Sequence, residues 1–132
     1  MKLVNYGPGE ISARLTILSL KILYGTESGK DVTHFETEQT ALLQQIRSRT
    51  LNGSWFEQVL QLAAVNGALW TAEDELRGYR ARYPRPAQTV RESDGDEVIT
   101  LAFRIQALND RRASLVQAIN TLAGEHNGSE KL

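Results

Sequence analysis

The chain has 132 residues, with 15 Lys and Arg against 16 Asp and Glu, two His and no Cys, for a formal net charge of -1. At 41% hydrophobic and 23% charged, it has the composition of one soluble globular domain, residues 1–132, large enough to hold a core without cross-links. Absent cysteines exclude disulfides, thiolate zinc sites, iron–sulfur clusters and a thiol nucleophile and point to a reducing, cytoplasmic setting, while the near-zero charge argues against a nucleic-acid partner.

A membrane partner is not expected either. No apolar run reaches the ~20 residues of a spanning helix, and the longest candidate, 11–24, is interrupted by Arg14 and Lys21. The pattern of a secretory leader is also missing.

Gly7-Pro8-Gly9 is a turn signal, and a first helix is expected from Glu10 to Tyr24. Its Ile11, Leu15, Leu18 and Ile22 recur at steps of four, three and four, the spacing of one helical face. Residues 25–30, with two glycines and a serine, read as a loop. Asp31 suits the cap of a second helix that carries Phe35, Leu42, Leu43 and Ile46 and ends near Thr50; with few apolar residues, it should be peripheral.

Ser54 with Glu57 three residues on has the spacing of a capping box, and a third helix should run from there to Tyr83-Pro84, where proline ends it. A polar connection over 87–95 leads to a fourth helix capped by Asp96. Its stripe is Val98, Leu101, Ile105, Leu108, Arg112, Leu115, Ile119 and Leu122, with Gly124 as the stop and 125–132 as a flexible tail. No strand pattern or repeat stands out. The expectation is an all-α antiparallel bundle of three long helices and one shorter one, with apolar surface left over for a homodimer.

The stripes carry polar residues where a core would be apolar. The third helix reads Trp55, Val59, Leu62, Asn66, Leu69, Glu73, Leu76, and the fourth places Arg112 between Leu108 and Leu115, with Asn109 beside it. On the first helix Glu10, Arg14, Ile17 and Lys21 share a flank, Glu10 and Arg14 being an i, i+4 pair. Arg77 follows Glu73 by four. An unpaired buried charge costs several kcal/mol even after relaxation, so these groups should meet one another, water or a ligand. Glu73 with Arg112 is the first expected pair. The candidate ligand-binding set is Glu10, Arg14, Asn66, Glu73, Arg77, Asn109 and Arg112, whose surplus arginines suit an anion.

Other features carry less. Residues 93–97 (Ser-Asp-Gly-Asp-Glu) lack the ligand spacing of a calcium loop and fit an acidic helix start. His34 and His126 have no partner at metal-ligand spacing, Gly7-Pro8-Gly9-Glu10 lacks the spacing and lysine of a phosphate loop, and no cofactor is implied. Trp55, Phe56 and Trp70 read as core or interface anchors.

Gly9-Glu10-Ile11 with Arg14-Leu15-Thr16-Ile17-Leu18 and Lys21, Val65-Asn66 with Leu69-Trp70 and Glu73-Asp74, and Asn109-Asp110-Arg111-Arg112-Ala113 with Ile119-Asn120 together resemble a family of short bacterial proteins catalogued as a domain of unknown function. The resemblance covers about residues 9–120. It implies a helical bacterial protein, in some cases associated with surface-polysaccharide genes, and no established activity. Ala13, Arg14 and Ser19 depart from the acidic residue, lysine and glutamate usual there, which removes a carboxylate from the first helix.

Three functions are compatible with these residues. One is an interaction module, a helical homodimer whose buried polar groups fix register as they do in coiled coils. Another is a binding protein for a small anion such as an anionic sugar or nucleotide, held by the arginines and oriented by Asn66 and Asn109. The third is a small helical enzyme with Glu73 as its acid or base, resembling all-helical chorismate mutases in architecture alone.

Overall fold

A computed structural model describes residues 6–47, 49, 52–85 and 89–124. The described residues form an all-α bundle of four helices with no strand: α1 Pro8–Glu27, α2 Thr33–Arg47, α3 Gly53–Arg82 and α4 Glu92–Leu122. Among the described residues no helix is long and apolar enough to cross a membrane. The expected tail at 125–132 lies outside the described residues.

Helix α1 begins two residues earlier than its apolar spacing suggests. Pro8 occupies the first helical turn, where its missing N–H costs nothing, and the Gly9 N–H is capped from α4: the Asn120 Oδ1 accepts it at 2.8 Å. The helix also runs past Gly25 to Glu27. Gly25 remains helical, and a Cβ there would stand 2.6 Å from Val32 Cγ1. The stop comes at Gly29, whose φ of 73° is a left-handed conformation that glycine takes without strain.

Asp31 secures the start of α2, accepting hydrogen bonds from the Thr33 backbone N–H at 3.0 Å and its hydroxyl at 2.7 Å. The Thr33 bonds hold the Asp31 carboxyl below its ordinary pKa. The cap of α3 is Asn52 rather than Ser54. Its side chain accepts from the Trp55 backbone N–H at 3.1 Å, which satisfies the third free amide of the helix and leaves Ser54 inside the first turn.

Helix α4 starts at Glu92, four residues before Asp96. Its N-cap, Arg91, makes no side-chain capping bond. Glu92 and Asp94 instead place negative charge in the first turn, where the helix dipole favours it. Asp94 also fastens the connection: its Oδ2 accepts from the Tyr83 hydroxyl at 2.6 Å and from Arg82 Nη1 at 2.9 Å. These two donors depress the Asp94 pKa.

Cross-contacts define the packing. Arg82 meets Asp94 and Gln61 meets Arg111, so α4 returns along α3. Asn66 of α3 meets Thr16 of α1, and Trp70 meets Tyr24, so α1 runs in the same direction as α3. The core has two parts on either side of α1. Ile11 and Leu18 pack with Leu42 and Ile46 of α2, while Ala13 packs with Leu62, Leu115 and Ile119 of α3 and α4. Trp55 touches both parts. The backbone of α2 approaches α1 alone, in keeping with its sparse apolar pattern.

Candidate functional site

The polar residues of the stripes open onto a furrow that follows α1. Two adjoining hollows form it. One, of about 240 Å³, is lined by Glu10, Arg14, Ile17, Leu18, Lys21, Glu38 and Arg112. The other, of about 280 Å³, lies between α1, α3 and α4 and is lined by Ile17, Lys21, Asn66, Leu69, Trp70, Glu73, Asn109 and Arg112. Lys21 and Arg112 border both and mark where the hollows meet.

Arg14 is the neutralised cation of the furrow. Its Nε lies 3.3 Å from Glu10 Oε1 and its Nη1 4.0 Å from Glu38 Oε2, and its guanidinium sits 4.2 Å from the centroid of the Tyr6 ring. With each of these side chains about a third exposed, water screens the pairs, and each contributes at most about 1 kcal/mol. Their effect is to hold Arg14 in place rather than to leave it free for a ligand.

Arg112 differs. It projects from the apolar stripe of α4, is half-buried, and has no carboxylate within ion-pair distance among the described residues. The expected Glu73–Arg112 pair does not form. The two line one hollow from facing helices, but Glu73 is exposed, so water stabilises its charge and nothing forces it onto the arginine. Lys21 likewise has no ion pair among the described residues; its ammonium lies 5.3 Å from the centroid of the Phe35 ring. The inner hollow therefore holds two unpaired cations and one carboxylate.

Asn66 is buried, and its Nδ2 donates to Thr16 Oγ1 at 2.7 Å, while the Thr16 hydroxyl donates to the Ala13 carbonyl at 2.8 Å. This chain fixes the amide at the floor of the hollow. Asn109 is exposed at the rim. Of the candidate set, Glu10, Arg14, Asn66, Glu73, Asn109 and Arg112 border the furrow. Arg77 does not. It is exposed and pairs with Asp74 at 3.1 Å, because one turn beyond Glu73 it shares that face of α3 but lies past the end of α1 at Glu27.

Six furrow residues lie outside the set: Ile17, Leu18 and Leu69, which are apolar walls, and Lys21, Glu38 and Trp70. Lys21 shares the flank of Glu10 and Arg14 and was legible from that spacing. Glu38 comes from α2, and no local signal aims it at α1. Trp70 is half-buried and stacks on Tyr24 with centroids 5.3 Å apart and planes 18° apart. Phe56, expected as an anchor, is 55% exposed.

No three His, Cys, Asp or Glu side chains come together among the described residues as a metal ion would require. Compared with family models, curated proteins and solved structures, the chain matches none.

Proposed function

We propose that the furrow binds a small organic anion, and that the protein is a cytoplasmic binding protein for it. The observation that carries this reading is Arg112: a half-buried guanidinium, next to Lys21, that faces a hollow without a carboxylate at ion-pair distance. A fork of N–H donors is suited to a carboxylate or phosphate, and an anion would offset the partial desolvation of Arg112 while the exposed Lys21 adds a second positive charge beside it. Asn66 and Asn109 offer neutral amides to orient the rest of the molecule. Thermal denaturation against phosphates, sugar phosphates and di- and tricarboxylates tests it. A ligand at a hundred times its Kd stabilises the native state by about 2.7 kcal/mol, a rise in Tm on the order of 10 °C for a chain of this size. No rise with any of these anions would refute the proposal.

A homodimeric assembly role is a second reading, favoured by exposed apolar side chains on the outer face of α4. Ile99 and Phe103, one turn apart on the face turned away from Leu101, Ile105 and Leu108, are 56% and 67% exposed. A second copy packed there would cover them. The expected result is a dimer by light scattering in the micromolar range and a monomer for Phe103→Asp; a wild-type monomer at every concentration contradicts it.

A further inference from the structure

The inner hollow presents more than positive charge. Glu73 opens onto the same space as Lys21 and Arg112, so an anion held by the cations lies near a carboxylate. That arrangement penalises a ligand made only of acceptor oxygens and favours one that brings a donor to Glu73. Ammonium and hydroxyl are the available donors, and Asn109 and Asn66 add amides that both donate and accept, which suits several hydroxyls better than one ammonium.

The wall gives the remaining constraint. Trp70 borders the inner hollow and also a neighbouring one of about 370 Å³, lined with Tyr24, Lys30, Asp31, His34 and Phe35. Its stacking on Tyr24 fixes the plane of the indole, so little side-chain freedom is lost when a ring lies against it. Pockets for drug-sized ligands run to roughly 300–1,000 Å³, and 280 Å³ falls just below that range: room for one small ring and its charged substituent, not for a base, a ribose and a phosphate together.

Resting on the anion-binding reading above, we infer that the ligand is a single hydroxylated ring carrying one phosphate or carboxylate, a sugar phosphate in its simplest form. The anionic group sits between Lys21 and Arg112, the ring lies against Trp70, and ring hydroxyls donate to Glu73.

Isothermal titration of the full chain with glucose 6-phosphate, glucose, inorganic phosphate and AMP tests this. Glucose 6-phosphate binds at least about tenfold tighter than inorganic phosphate, the value of one hydrogen bond to a charged group, and tighter than AMP, while glucose alone does not bind. Glu73→Gln, at an exposed position that leaves the fold intact, weakens glucose 6-phosphate and strengthens inorganic phosphate, so the ratio narrows. Equal affinity for phosphate and glucose 6-phosphate, a preference for AMP, or a ratio untouched by Glu73→Gln overturns the inference and leaves anion binding standing. Failure of every anion overturns both.

Discussion

Replacing Gly9 by alanine destabilises the protein by about 2–4 kcal/mol, the sum of overpacking a rigid contact and loosening a buried hydrogen bond. A Cβ at this position would stand 2.3 Å from the Val116 carbonyl oxygen, 2.8 Å from Asn120 Oδ1 and 3.0 Å from Val116 Cγ1. The nearest of these is backbone and cannot rotate away. Helix α1 must then move off α4, which stretches the Gly9–Asn120 bond and leaves the buried Asn120 amide without its partner. Thermal denaturation should show a fall in Tm on the order of 10 °C. Gly67→Ala is the control: nothing lies within 4 Å of its Cβ, and an alanine inside α3 should raise stability by about 0.5–1 kcal/mol. Equal behaviour of the two variants would show that α1 does not approach α4 so closely.

Arg112→Leu separates a binding role from a structural one. If the guanidinium awaits an anion, removing it weakens binding about 10- to 100-fold, the range for hydrogen bonds to charged groups. Stability then stays level or rises, since a half-buried unpaired charge is exchanged for an apolar side chain in the stripe of Leu108 and Leu115. If Arg112 instead fixes helix register, the same substitution lowers the Tm and leaves anion affinity unchanged. Denaturation and titration of one variant decide between these. Arg77→Leu, at an exposed position paired with Asp74, should change neither.

Much of this arrangement was legible from spacing. The steps of three and four that place Asn66 on the inward face of α3 and Arg112 on that of α4 also place them on one hollow, because both stripes turn toward α1. Helix ends were less legible. Asn52 and Ser54 are both good caps, and the choice between them depends on which lets the Trp55 amide find an acceptor. The start of α4 was hidden because Asp94 is fixed by Tyr83 and Arg82 across the turn, a contact no local pattern encodes. The Glu73–Arg112 pair failed for a related reason. Periodicity puts both residues on inward faces, but how much water reaches each depends on where α1 ends, and α1 leaves Glu73 exposed at the rim. The roles of Glu38 and of the Tyr24–Trp70 stack come from α2 and α1 meeting their neighbours and have no counterpart in the spacing.

The most direct test of anion binding is an amide and side-chain chemical-shift map of the labelled protein during titration with inorganic phosphate. The structure predicts saturating shifts centred on Ile17, Lys21, Asn66, Asn109 and Arg112. Shifts that rise linearly without saturation and scatter over the exposed arginines, Arg77, Arg80 and Arg104 among them, would show that the furrow has no more claim on an anion than any other charged surface.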